Sequence, residues 1–172
     1  MFVNTVSHTV VEWVQHPDFD AIDTHALYDI LCALTRRFGV DATVKTVPLV
    51  FKLQSMVQQG VIKGHGRQVA LASVTVAWFT MIGQYYHVDE LTEYTERIEQ
   101  ERARSSQWCE VAIKPNHRNF VEHENSTAIT PFMDRHDIVE FLTKPLRDES
   151  DTHGLELESK LYAEWGSEAF SK

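Results

Sequence analysis

An uncharged stretch, residues 69–83, has the sequence VALASVTVAWFTMIG and is apolar on every side at helical spacing. A helix that is hydrophobic all round is normally buried among other elements. Fifteen residues are too few to cross a bilayer, which takes roughly 20 apolar residues. The pattern therefore predicts a buried central helix, over residues 67–86, in a packed helical body.

Four further segments carry apolar residues at the i, i+3, i+4 and i+7 positions of an amphipathic helix. They are residues 2–15, a stretch that begins at Asp23 or Thr24 and ends at residue 38, residues 41–59, and residues 89–104. Gly39 follows the second stretch, and glycine commonly ends a helix. Pro48 lies inside the third and predicts a kink or break at residues 46–47.

The predicted helices contain a possible internal repeat. A Val-Asp pair follows a mostly apolar helix twice, at residues 40–41 and 88–89. The separation of 48 residues is close to the roughly 40–47 residue period of HEAT and armadillo units. Antiparallel helices with short connections also form closed bundles. The repeat therefore favours an all-α, armadillo/HEAT-like α-solenoid fragment over residues 1–105 in preference to a closed bundle.

The rest of the chain, residues 106–172, has a different character. Its apolar residues come in short groups between three prolines, which predicts an irregular acidic tail with two short helices, at residues 134–144 and 155–165. The apolar residues of these helices are Ile138, Phe141, Leu142, Leu157, Leu161 and Trp165. We expect them either to dock on the helical body or to bind a protein partner as a helix in a groove.

Composition narrows the classes of partner and the compartment. Asp and Glu outnumber Lys and Arg by 25 to 16, which argues against nucleic acid or an anionic membrane surface as the main partner. Cys32 and Cys109 lie far apart and form no disulfide framework, so we expect reduced thiols. The first residues have neither a basic region nor a signal-peptide cleavage site. Together these features predict a cytoplasmic protein.

No residues with catalytic or ligand-binding chemistry form a recognisable motif. A histidine-rich and acidic group lacks the spacing of a zinc-binding helix: His117, Glu122, His123, Glu124, Asp134, His136 and Asp137. Ser73 lacks the glycines of a nucleophile elbow, and Cys32 lies on the inward side of its helix. Gly64 and Gly66 lack the lysine of a phosphate loop. We therefore expect no catalytic residue, no cofactor and no metal, and a protein that is not an enzyme.

The order of features over residues 53–108 carries a family resemblance. Lys-Leu-Gln at residues 52–54 leads through a basic loop to Arg67, to the apolar helix ALASVTVAWFTMIGQYY and to VDEL at residues 88–91. A helix closing on Ile-Glu-Gln-Glu-Arg, residues 98–102, follows. This order resembles the C-terminal helical repeats of the rolling blackout family, the Eighty-five-requiring plasma-membrane scaffolds.

The resemblance implies a non-enzymatic scaffold. Members of that family are rods of armadillo- and HEAT-like helices that hold a phosphatidylinositol 4-kinase complex at the plasma membrane, and their C-terminal parts contact a tetratricopeptide-repeat adaptor. This chain is much shorter than such a rod and has no basic patch or N-terminal cysteine cluster. The resemblance therefore implies a fragment without direct membrane contact, held at the plasma membrane through regions outside it. Two alternatives stay open: a small helical domain that binds another protein, and a helical enzyme or metal-binding protein that uses residues 117–137.

Overall fold

The computed structural model describes residues 2–113, 128–149 and 151–163. These ranges contain no strand; their helices are α1 Phe2–Val14, α2 Ala21–Gln58, α3 His65–Tyr85, α4 Asp89–Arg104, α5 Arg135–Glu149 and α6 Asp151–Tyr162, with a 3₁₀ turn at Glu110–Ala112. The predicted all-α class is confirmed for these residues. Stacking of the helices as armadillo or HEAT repeats stays a prediction.

Helix α2 is kinked at Gly39, whose φ of 73° and ψ of −150° interrupt the helical backbone. Glycine adopts this positive φ readily because it has no Cβ. The predicted separation of two helices at Gly39 is confirmed as a kink within α2. No break is present at residues 46–47, because Gly39 alone among Ala21–Gln58 has non-helical dihedrals, and the alternative of a kink there stays a prediction. Val47 and Leu49 are fully buried on either side of Pro48, so packing holds both flanks in the helix despite the missing N–H.

The start of α2 corrects a second prediction. The helix begins at Ala21, so Asp20 is its N-cap in place of Asp23 or Thr24. The main-chain N–H of Asp20 donates to the Asp23 carboxylate (3.0 Å), and the N–H of Asp23 donates to the Asp20 carboxylate (3.2 Å). This reciprocal arrangement is a capping box built from two aspartates.

Helix α3 is the centre of the core, as its uncharged sequence predicts. All but one of the residues 69–83 are buried. Trp78 Nε1 donates to the carbonyl oxygen of Leu31 across 3.2 Å, and the rings of Phe79 and Phe51 lie 5.2 Å apart. Both partners are on α2, one on each side of its kink. Within the described ranges, no helix is long and apolar enough to cross a membrane.

The other side of α3 packs closely on α4. Thr80 Oγ1 donates to Thr95 Oγ1 across 2.9 Å. Gly83 lies so near Thr92 that a Cβ added to it would be 2.5 Å from Thr92 Oγ1 and 3.0 Å from the Thr92 nitrogen. The absence of a side chain at Gly83 therefore sets the spacing of the two helices. Helix α3 therefore lies between α2 and α4.

Helices α2, α3 and α4 end in the same way. A residue at positive φ follows each helix, and the next N–H turns back to a carbonyl in the last turn, which is the Schellman motif. The residues at positive φ are Gly60, His87 and Ser106, and the bonds run from Val61 to Met56 (3.0 Å), Val88 to Gly83 (2.8 Å) and Gln107 to Arg102 (2.7 Å). The third motif brings Gln107 back beside Arg102.

The two helices predicted for the tail are present with different bounds. The first continues through Pro145 to Glu149, and the second begins at Asp151 and ends at Tyr162. Ile129, Met133 and Leu161 belong to the same hydrophobic cluster as α1 to α4. The described part of residues 128–163 therefore lies against the helical body. The division of the chain into domains 1–105 and 106–172 stays a prediction.

Candidate functional site

The predicted partner-docking residues lie on α5 and α6 or outside the described residues. Ile138 and Leu161 are fully buried, Phe141, Leu142 and Leu157 are partly buried against the same core, and Trp165 lies outside the described residues. The five described side chains contact the chain's own core, as the self-docking alternative expects. Binding of a partner through this set stays a prediction.

The histidine-rich and acidic group is only partly described. Its members at residues 117–124 lie outside the described residues. Asp134 caps α5, since its carboxylate accepts the N–H of Asp137 across 3.2 Å. His136 Nδ1 is 2.7 Å from the Tyr162 hydroxyl of α6. Among the described residues, no group of three or more His, Cys, Asp or Glu side chains could hold a metal ion.

Ser73 and Cys32 have structural surroundings. Ser73 Oγ donates to the Val69 carbonyl (2.8 Å) and accepts the N–H of Cys109 (3.0 Å). Cys32 is buried, as predicted, and burial raises the pKa of its thiol to about 11. A reactive cysteine needs a lowered pKa, so Cys32 has the properties of a core residue.

A set of polar side chains holds an irregular segment, residues 128–134, by its main chain, and the Thr130–Pro131 peptide bond of this segment is cis. The segment contains no helix; Ile129 and Met133 are buried, whereas Ala128 and Thr130 are exposed. Main-chain groups that are buried without regular secondary structure need hydrogen-bond partners from elsewhere. We name the side chains that supply them the main-chain clamp: Gln54, Tyr94, Arg102 and Gln107.

Gln107 binds the beginning of the segment. Its side chain is 2% exposed; Nε2 donates to the Ala128 carbonyl (2.8 Å), and Oε1 accepts the Thr130 N–H (3.1 Å). The positive φ of Ser106 turns the chain after α4 and gives Gln107 this position. Because one amide binds two residues that are two positions apart, it fixes the register of the segment.

Gln54 binds the end of the segment from α2. Its Nε2 donates to the Met133 carbonyl and its Oε1 accepts the Met133 N–H, both across 3.0 Å. A single side-chain amide thus satisfies both main-chain groups of a buried residue. The Tyr94 hydroxyl of α4 accepts the next N–H, that of Asp134, across 2.8 Å. Burial raises the pKa of Tyr94, which keeps this hydroxyl neutral.

Arg102 binds the middle of the segment and is 0% exposed. Nε donates to the Pro131 carbonyl and Nη1 donates to the Ala72 carbonyl of α3, both across 2.9 Å. Its Cζ lies 5.4 Å from the centre of the Phe132 ring. Nη2 is buried without a hydrogen-bond partner, and no carboxylate of the described residues lies within ion-pair distance of this arginine. Burial lowers the pKa of the guanidinium to about 10.

The chemistry of the clamp is recognition of polypeptide main chain. None of these residues was predicted as a site residue, although the spacing of Arg102 and Gln54 in the sequence contains a signal for burial. Arg102 follows Leu91, Thr95 and Ile98 at intervals of four and three residues, which places it on the buried stripe of α4. Gln54 follows Val47 by seven residues and shares its inner face. Polar residues on a buried stripe indicate buried hydrogen bonds.

Comparison with known proteins found no relative of this chain. No protein-family model matches the chain, and neither the curated proteins nor the solved structures contain a match. The resemblance to the rolling blackout family accordingly stays a prediction.

Proposed function

We propose that this chain is a protein-interaction module whose helical body binds an irregular polypeptide segment by its main chain. The observation that carries the proposal is the main-chain clamp, in which Gln54, Arg102 and Gln107 bind main-chain groups of residues 128–133. Every polypeptide has such groups, so these hydrogen bonds need no particular side chains in the ligand.

The buried side chains of the segment define the side-chain requirement. Ile129 is 9% exposed and Met133 is 4% exposed, whereas Ala128 and Thr130 face solvent. A ligand of the clamp therefore needs apolar residues at two positions four apart, in the conformation that residues 128–134 adopt. In the described structure, residues 128–134 occupy the site as an intramolecular ligand.

A peptide-complementation experiment tests the proposal. Ile129→Ala and Met133→Ala together remove both apolar anchors and leave every clamp residue in place. We expect this variant to melt at a lower temperature than the wild-type chain. A synthetic peptide with the sequence of residues 128–134 should raise the melting temperature again, because a ligand that binds only the folded state stabilises it. The matched control is the same peptide with alanine at both anchors, which should have no effect.

Two outcomes contradict the proposal. One is a variant with normal helical circular dichroism that the peptide does not stabilise. The second outcome is measured on the wild-type chain. Excess peptide should displace residues 128–134 there and speed hydrogen exchange of the Met133 and Asp134 amides. Unchanged exchange of these amides at saturating peptide would also contradict it, and this measurement does not require the variant to fold.

We further propose the specific role implied by the family resemblance: a scaffold that contacts a tetratricopeptide-repeat adaptor of a phosphatidylinositol 4-kinase complex at the plasma membrane. The resemblance is its support, and the described surface includes a candidate patch of exposed apolar side chains. Phe38 and Val40 flank Gly39 and are 56% and 60% exposed, and Tyr85 is 47% exposed. Thr43 Oγ1 is within 3.0 Å of the Gly39 carbonyl and 2.9 Å from the Tyr86 hydroxyl, and the Tyr86 ring packs on Tyr85.

We name Phe38, Val40 and Tyr85 the end patch, and its role is tested by calorimetry with a purified tetratricopeptide-repeat adaptor. Phe38→Asp should abolish binding, because an unpaired carboxylate in an apolar interface is costly. Leu155→Asp is the matched control, since Leu155 is 62% exposed on α6. Absence of binding by the wild-type chain, or equal binding by both variants, would refute the scaffold role and leave the peptide-binding proposal intact.

A further inference from the structure

We propose that Arg102 is a carboxylate receptor, and that the partner peptide of the clamp carries an acidic side chain where this chain has Phe132. The inference rests on the proposed function, because it specifies the class of peptide that the clamp binds.

The chain's own segment leaves Arg102 incompletely bound. A guanidinium has five N–H donors in a planar fork. Nε and Nη1 donate to the carbonyls of Pro131 and Ala72, whereas Nη2 has no partner although the residue is 0% exposed. A buried donor without a partner loses the hydrogen bonds that it made to water. Carbonyl oxygens and the Phe132 ring carry no full negative charge that would offset the positive charge of the guanidinium.

The position of Phe132 makes this gap accessible to a ligand side chain. Its ring centre is 5.4 Å from Arg102 Cζ, so a side chain that begins at the same Cα extends to the guanidinium. A carboxylate that accepts from Nη2 forms a charge-assisted hydrogen bond, which is stronger than the contact with an aromatic face. The bond from Nη1 to Ala72 fixes the orientation of the guanidinium on the body. The favoured ligand is thus a peptide with apolar residues in the places of Ile129 and Met133 and Glu or Asp in the place of Phe132.

Substitution within the chain tests the receptor directly. Phe132→Glu and Phe132→Gln remove the same ring and differ in charge alone. We expect F132E to melt about 4 °C or more above F132Q at pH 7, since roughly 1 kcal/mol corresponds to 2–4 °C in a domain of this size. Pairing depresses the pKa of the new carboxyl in the folded state. Its stabilisation is therefore present above the unfolded pKa, about 4.3, and is lost as the pH falls through the lower folded value. Equal melting temperatures, or a higher one for F132Q, would overturn the inference.

Binding of peptides by the wild-type chain tests the partner class. Fluorescein-labelled AITPEMD should bind about tenfold more tightly than AITPQMD by fluorescence anisotropy, a difference typical of a hydrogen bond to a charged group. Its binding should speed exchange of the Met133 and Asp134 amides as the chain's own segment leaves. Titration must reach millimolar peptide, because the tethered segment has an effective concentration of that order. Equal affinities, or no binding of either peptide, would overturn the inference.

The two sets of experiments separate the two proposals. If the peptide with the chain's own sequence rescues the Ile129→Ala, Met133→Ala variant while the Glu and Gln peptides bind equally, the clamp binds peptides but Arg102 is not a carboxylate receptor. If no peptide rescues that variant, the proposed function itself is wrong.

Discussion

The hydrogen bonds of Gln54 give the sharpest prediction about the clamp. Gln54→Met keeps the length and nearly the volume of the side chain but removes the amide, so the change creates little cavity. The N–H and C=O of Met133 then lose their partners at a residue that is 4% exposed. The variant therefore isolates the contribution of two main-chain hydrogen bonds that join residues 79 positions apart in the chain.

The expected cost follows from the number of groups left without partners. A buried donor or acceptor without a hydrogen bond costs about 1–3 kcal/mol. Two such groups at Met133 lower the free energy of unfolding by at least about 2 kcal/mol. Segment 128–134 should also loosen at its end before the rest of the chain unfolds, because Gln54 alone binds both main-chain groups of Met133.

Urea unfolding followed by far-ultraviolet circular dichroism measures the cost, and hydrogen exchange of the Met133 amide measures the local loosening. Gln59→Met is the matched control, because Gln59 is exposed and bonds only to nearby Ser55 across 3.2 Å. The control should stay within about 0.5 kcal/mol of the wild-type chain. A loss below about 0.5 kcal/mol in Q54M, with slow exchange at Met133, would refute the reasoning that Gln54 holds the segment.

Three other predictions concern the helical body and its thiols. Gly83→Ala should destabilise the fold by about 1–3 kcal/mol in urea unfolding, because its Cβ would lie 2.5 Å from Thr92 Oγ1. Adding Thr92→Ala should recover part of the lost stability. An unchanged urea midpoint for G83A would contradict the close approach of the two helices. His87→Gly should stabilise the fold by about 1 kcal/mol and raise the melting temperature, because a residue with a Cβ is strained at the φ of 56° that His87 adopts. A lower melting temperature would show that the contacts of the His87 side chain stabilise the fold by more than this backbone strain costs. At pH 8 iodoacetamide should label Cys109 before Cys32, as followed by mass spectrometry. The Cys32 thiol, with a pKa of about 11, is only roughly one-thousandth ionised at this pH. Faster labelling of Cys32 would contradict its burial.

The helical body could be predicted because its signals are local. The uncharged sequence of residues 69–83 indicates a buried helix by itself, and the periodicity of residues 89–104 gives the bounds of α4. Gly39 is a local signal for a change of backbone direction and was placed correctly. The break predicted beside Pro48 is absent, because the fully buried residues on either side of it maintain a helix that proline alone would interrupt.

The clamp could not be predicted in the same way because its partners are distant in the sequence. Gln54 and Met133 are 79 residues apart, and Arg102 and Pro131 are 29 residues apart. Glutamine and arginine are usually exposed residues, so their presence on a helix normally indicates a solvated face. Periodicity places Arg102 on the buried stripe of α4, but it cannot show which main-chain group the side chain binds.

The central claim is that the helical body binds an irregular polypeptide segment by its main chain, and the melting temperature of the Ile129→Ala, Met133→Ala variant tests it most directly. We predict that a peptide with the sequence of residues 128–134 raises this temperature in a concentration-dependent manner, while the peptide with alanine at both anchors leaves it unchanged. A folded variant whose melting temperature is the same with either peptide would contradict the claim.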